Sequence, residues 1–255
     1  MIRKINSLTS FQSSRGLLSV LLIGLAPFLA TPVCAANFTI FPLKSQLDLV
    51  KTNDAFTLRN QGDAPVVVQA TVVKWSQQSG KEILEPTRDL LVAPALTEVP
   101  AGESQVIRVA LRRPLDAKTE SSYRLIIQEV PKPSQSQIGQ VLLALKLSLP
   151  MFVAPATASA KSKLEIGSIR TVSNEKEAVI ALDLANAGTG HVQIISVKMS
   201  DEKGVFAELK SMFYVLPDTQ RSFMLNPTRI PEKGRPLKVD FQTNLGEVSS
   251  TSVLH

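Results

Sequence analysis

Residues 141–149 run V-L-L-A-L-K-L-S-L, with Val141, Leu143, Leu145, Leu147 and Leu149 apolar at every second position. Alternate residues of a strand share one face, so this spacing predicts a strand carrying a continuous apolar ridge. Two uses of the ridge are open at this point. It packs into its own domain, or it sits on an edge strand and is lent to another protein. Elsewhere the chain shows short β-rich runs separated by turn signals, and no long segment with a 3.6-residue period. In the first half the predicted strands cover 38–41, 55–58, 66–75, 105–111, 123–130 and 141–153. Turn chemistry falls between several of them: N-Q-G-D-A-P at 60–65, S-G at 79–80, and P-A-G at 100–102, where Gly102 serves the turn.

A small, polar, proline-containing stretch follows at 154–163 (A-P-A-T-A-S-A-K-S-K), with the composition of an interdomain link. A second strand set is predicted at 164–170, 177–184, 192–199, 213–216, 221–225, 237–243 and 248–254. The expected architecture is all-β, two Ig-like β-sandwich domains in tandem with a cleft between them. The expected divisions are 36–153, a linker at 154–163, and 164–255.

The first 35 residues change the global numbers. Arg3, Lys4 and Arg15 precede or open an apolar stretch at 17–30 that is short for a bilayer span, and Val33 and Ala35 fit a cleavage site before Ala36. This predicts a secretory signal at 1–35. The whole chain has 28 Lys+Arg against 22 Asp+Glu; without the three basic residues of the leader the balance is 25 against 22, a net of +3. That weak excess, with no basic run, argues against nucleic acid. The single cysteine, Cys34, leaves with the leader, so the mature protein must be held by its core alone. No later segment reaches transmembrane length, and no stable membrane insertion is expected.

Several segments together resemble a known family. They are V-V-K-W-S at 72–76, D-L-L-V-A-P at 89–94, P-A-G-E-S-Q-V-I-R-V at 100–109, Y-R-L-I-I-Q-E-V-P at 123–131, L-P-M-F-V-A-P at 149–155, N-A-G at 186–188 and Y-V-L-P at 214–217. In order and spacing they are similar to the periplasmic pilus-assembly chaperones of the PapD type. The W-S segment and the proline in the 149–155 motif look more like the archaic branch of the chaperone–usher pathway.

The resemblance implies a binding protein without catalysis or cofactors. Members donate the last strand of their first domain to a pilus subunit whose own Ig fold lacks a strand, and deliver it to an outer-membrane usher. Val141, Leu143, Leu145, Leu147 and Leu149 fall on that donor strand. Main-chain hydrogen bonds then satisfy the subunit's open edge while the ridge fills its groove. A bare ridge invites aggregation, so self-association of the free protein is one expected way of covering it. Family members also bind the subunit's C-terminal carboxylate through cleft cations. Matching F-T-I-F-P-L-K-S at 38–45 places Lys44 where an arginine usually stands, whereas the usual second cation, a lysine, is Pro150 here. Arg124 is the candidate replacement. The family's arginine before the linker proline is Ala154, so its interdomain salt bridge cannot form in the same way, and the partner of Glu120 stays open. Trp75 is expected to plug the core, and Arg108 to take a sheet-spanning partner.

Catalytic chemistry is sparse. His191 and His255 are the only histidines, and no G-x-S-x-G, H-E-x-x-H or phosphate-cradling loop occurs. The G-T-G-H run at 188–191 has the composition of a turn, and no metal site is expected. A structural pilus subunit or another surface Ig-like adhesive module is the alternative function, and an enzyme with an unrecognised site a weaker one.

Overall fold

The computed structural model describes residues 38–112, 118–131, 144–157, 159–173 and 178–255. The first half contributes β1 (Phe38–Phe41), β2 (Ser45–Leu47), β3 (Asn53–Asn60), β4 (Val66–Gln78), β5 (Lys81–Pro86), β6 (Leu90–Ala93), β7 (Leu96–Val99), β8 (Ser104–Leu111), β9 (Ser121–Glu129) and β10 (Lys146–Val153). The second half contributes β11 (Leu164–Ser173), β12 (Ala178–Asn186), β13 (Val192–Asp201), β14 (Gly204–Leu209), β15 (Phe213–Val215), β16 (Thr219–Leu225), β17 (Pro236–Thr243) and β18 (Gly246–Val253).

Each half is a two-sheet sandwich. In the first, the sheet β1-β3-β8-β6 faces β2-β10-β9-β4-β5, with β7 also paired to β4. In the second, β11-β12-β16 faces β14-β13-β17-β18, with β15 beside β13. Two separate apolar cores follow from the alternation along these strands. Phe56, Leu58, Ile107, Val109, Leu125 and Ile127 are fully enclosed in the first, and Ile180, Leu182, Ile194, Val197, Val239 and Phe206 in the second.

Five strands have no counterpart in the sequence pattern: β2, β5, β6, β7 and β14. β5 shows why. It is a sheet edge with no buried side chain, so nothing selects apolar residues at every second position. β2 is three residues long, too short for a period to register.

Two buried asparagines hold equivalent turns. The Asn60 amide donates to the carbonyls of Ala64, Val99 and Pro100 at 2.8, 3.1 and 3.2 Å, and its oxygen accepts from Gly62 N–H. The Asn186 amide donates to Gly190 and Val215 at 2.8 and 3.0 Å, and its oxygen accepts from Gly188 and Lys163 N–H. Asn186 thereby ties the start of the second sandwich to the 187–190 turn. Gly188 is required there by space: a Cβ would stand 2.3 Å from the Lys161 oxygen and 2.5 Å from Lys163 N. Both obstacles are backbone, so no side chain can move aside. Gly188→Ala is expected to lower stability by about 1–3 kcal/mol, read as a lower urea midpoint.

Candidate functional site

The ridge strand β10 lies between β9 and β2, but the two neighbours cover it unequally. β9 pairs antiparallel along its whole length, from Lys146↔Gln128 to Val153↔Ser121. β2 pairs in parallel only with Met151, Phe152 and Val153. Among the described residues, the outer edge from Lys146 to Pro150 therefore has no strand beside it. Proline suits such an edge because its missing N–H leaves no ladder bond unmade there.

The ridge is graded along this edge. Leu149, Met151 and Val153 are buried in the first sandwich's core, and Leu147 and Leu145 are half-buried. Leu149 is thus occupied at home, because the two sheets are closed over it. Towards 145 the cover thins. Val141 and Leu143 lie outside the described residues.

The opposite face of the same sheet docks on the second sandwich. Along β4 the residues at 68, 70 and 72 face the core, while Trp75 and Gln77 fall on the other parity and are buried by the second domain. Trp75, Phe152, Leu216 and Tyr214 form their own cluster. Trp75 therefore seals the seam between sandwiches and does not plug the first core as expected. Gln77 pins the neighbouring turn. Its amide donates to the Tyr214 carbonyl at 2.9 Å, and its oxygen accepts from Leu216 N–H and Thr219 Oγ1 at 3.0 and 3.1 Å.

Arg124 enters this seam from β9, opposite Pro150 on one side and Val73 on the other. Its guanidinium lies 3.7 Å from the Trp75 ring centroid and its Nη1 donates to the Ser148 carbonyl at 3.5 Å. Only 13% of the side chain is exposed. Burial pushes the guanidinium below its ordinary value; Glu82 and Tyr214 oppose that shift and Arg221 adds to it. Burial likewise raises the Tyr214 phenol, against the pull of Arg124. Arginine stays protonated throughout, so the shift marks a desolvated cation with good reason to hold an anion.

Lys44 sits where the chain crosses from β1 in one sheet to β2 in the other. It is exposed and has no ion pair among the described residues. Ser45 pairs with Met151, so Lys44 is the residue next to Pro150 in register, and Pro150 is opposite Arg124. Alternation puts Lys44 and Arg124 on the same face, about 10 Å apart across two strand spacings. Phe41 and Leu43, beside Lys44, are 76% and 66% exposed.

Glu120 finds its partner in His191. The carboxylate accepts from His191 Nδ1 at 2.6 Å and from His191 N–H at 3.1 Å, while Glu120 N–H donates to Thr189 O at 2.8 Å. The imidazole stacks on Phe152 at 3.5 Å between centroids. The 188–191 run is a turn, as its composition predicts, but it also latches the two sandwiches together. Sequence reasoning missed this because the partners are 71 residues apart. Arg108 differs from expectation as well. It is exposed on β8, with no hydrogen bond or ion pair among the described residues, because its face of β8 looks to solvent.

Residues 46–159 match the family model for the PapD N-terminal domain, described as a pili and flagellar-assembly chaperone domain. The matched span runs from β2 to just past β10, most of the first sandwich. Solved structures of such chaperones share the architecture of both sandwiches. The CsuC–CsuE chaperone–tip subunit pre-assembly complex of the archaic Csu pili of Acinetobacter baumannii matches with a TM-score of 0.63 at 19% identity, covering 86% of this chain and 100% of that one. The YadV chaperone matches at 0.57 and 16%, covering 85% and 99%. The Escherichia coli chaperone DraB matches at 0.55 and 16%, covering 86% and 97%. Among curated protein sequences, none matches the chain. In this PapD-type frame, β10 is the last strand of the first domain, and its uncovered edge and the Arg124 seam belong to one sheet.

Proposed function

We propose that this protein is a periplasmic chaperone that binds, folds and caps pilus subunits by donor-strand complementation and passes them to an outer-membrane usher. The observation that carries the reading is the β10 edge. Among the described residues, its outer side is unpaired between Lys146 and Pro150 while its apolar ridge emerges from the core. A guest strand placed there gains main-chain hydrogen bonds, and Val141, Leu143, Leu145 and Leu147 fill the groove beneath it. Leu149 contributes at the root of the ridge, fixing the strand in its own domain. Each large apolar side chain buried adds about 1.5–3 kcal/mol before the entropic cost of association.

Lys44 and Arg124 anchor the guest's C-terminal carboxylate in this reading. They share a face of the sheet, and Arg124 is a desolvated cation at the position facing Pro150. The exposed Phe41 and Leu43 extend the docking surface past the β10 edge. Residues 1–35 serve as the export leader, 36–153 as the donor domain, 154–163 as the link and 164–255 as the second domain. The protein works by binding and folding, without catalysis.

Co-expression with a fimbrial subunit that lacks its last Ig strand tests the reading. A soluble one-to-one complex is expected in the periplasmic fraction, with the protein missing from assembled fibres. Recovery of the protein as a component of the fibres would instead favour a structural subunit.

A further inference from the structure

Glu82 stands between two arginines that come from different domains. Its Oε2 lies 3.6 Å from Arg124 Nη2 of β9, and its Oε1 lies 3.7 Å from Arg221 Nη1 of β16. Each carboxylate oxygen thus faces one cation. Both contacts are ion pairs and not hydrogen bonds, longer than the 3.5 Å that separates Arg124 Nη1 from Ser148 O and well beyond the usual range of about 2.7–3.2 Å. Glu82 is a loose occupant of a place where a carboxylate belongs.

The arginines, in contrast, are held. Arg124 is fixed over Trp75, and Arg221 Nη1 donates to the Tyr214 carbonyl at 3.3 Å. Their side chains are 13% and 22% exposed, against 40% for Glu82. The Nε of Arg124 is buried and has no hydrogen-bond partner among the described residues. Both guanidiniums lie close to the same carboxylate, at 3.6 and 3.7 Å, and repel each other, so an anion between them is favoured. Glu82 itself lies on the edge strand β5, which buries none of its side chains. It can swing to solvent without opening a core. Beside it the cleft widens into a cavity of about 700 Å³, bounded by Lys81 of the β4–β5 hairpin and by Arg170, Asp183 and Arg221 of the second domain.

We infer that Glu82 is a built-in plug: it fills the anion seat formed by Arg124 and Arg221, and a client's terminal carboxylate docks by displacing it. The inference rests on the carboxylate-anchor reading above and adds two things to it. Arg221 of the second domain is the other half of the clamp, and the free protein carries its own competitor. A carboxylate arriving from the β10 side can make the short, two-pronged contact that the β5 backbone denies to Glu82. The seat then holds one carboxylate in both states, first that of Glu82 and then that of the client. An amide-terminated chain lacks the charge to evict Glu82 and leaves it in the seat.

The test uses the full mature chain and Trp75, its single tryptophan, as the fluorescent reporter under Arg124. The probe is a synthetic ten-residue peptide of alternating valine and threonine ending in a free carboxylate, compared with its C-terminal amide. Glu82→Gln is expected to bind the acid peptide roughly five- to tenfold tighter and the amide unchanged, as expected when a weak ion pair no longer competes. Arg221→Ala is expected to lose most of the preference for the acid. If Glu82→Gln binds the acid no better while Arg124→Ala still abolishes the preference, Glu82 is an interdomain strut and the plug is overturned. If Arg124→Ala and Arg221→Ala both keep the wild-type preference, or no form distinguishes acid from amide, the anchor reading itself fails. Thermal melts of each variant separate a lost seat from a lost fold.

Discussion

Replacing Leu143 and Leu145 together with aspartate is expected to abolish subunit capture while the first sandwich stays folded. Leu145 is half-buried, on the stretch where the ridge leaves its own core, and Leu143 precedes it by two residues in the sequence. Each substitution removes an apolar side chain worth about 1.5–3 kcal/mol in a guest's groove. It also puts a carboxylate into an apolar groove, which adds a desolvation cost. Losing about 3–6 kcal/mol weakens binding by roughly 10² to 10⁴-fold, enough to erase a stable complex. The contrasting variant is Leu149→Asp. Leu149 is 7% exposed within the core, so a charge there is expected to unfold the first domain. Co-purification with a subunit, alongside circular dichroism and a urea titration, reads both outcomes. Normal capture by the folded double variant would remove the ridge from the mechanism.

Arg124→Ala carries the second large effect. A hydrogen bond to a charged partner contributes about 1.5–3 kcal/mol, so capture of a subunit with a free terminus should fall roughly 10- to 150-fold. Part of the change will be intrinsic to the protein's own fold, because the guanidinium also covers the Trp75 ring at 3.7 Å. Arg124→Lys separates the two roles. Lysine keeps the charge but offers neither the planar fork nor the stacking surface, so only partial recovery is expected. Lys44→Ala should cost much less, since Lys44 is exposed and its charge is screened by water. Surface plasmon resonance against one subunit, with and without an amidated terminus, measures these differences. Equal affinity of wild type and Arg124→Ala for the free terminus would move the anchor elsewhere.

The parts of the site that could be read from sequence are those made by a single strand. The alternation at 141–149 is legible as a two-residue period, whereas Arg124 comes forward only through the family resemblance, as a replacement for the cation missing at Pro150. Glu82 and Arg221 carried no such mark. Glu82 lies on an edge strand with no periodicity, and Arg221 faces Glu82 across 139 residues of chain and a domain boundary. His191 was equally silent. Its glycine-rich neighbourhood signals a turn, and only the docking of Thr189 and His191 against Glu120 turns it into a latch. Trp75 was misplaced for a related reason: its strand changes which parity is buried where the second domain takes over from solvent.

What the chain determined alone was local: alternating apolar residues make strands, Gly, Asn and Pro at the breaks make turns, and the change of composition at 154–163 divides one strand set from the next. Those choices need only neighbouring residues, so they are written in neighbouring letters. The tertiary structure decided which edge is left uncovered, how far the ridge sinks into its own core, and which charges meet in the seam. Pairing partners and burial depend on which distant segments pack together, and a one-dimensional pattern does not encode that distance.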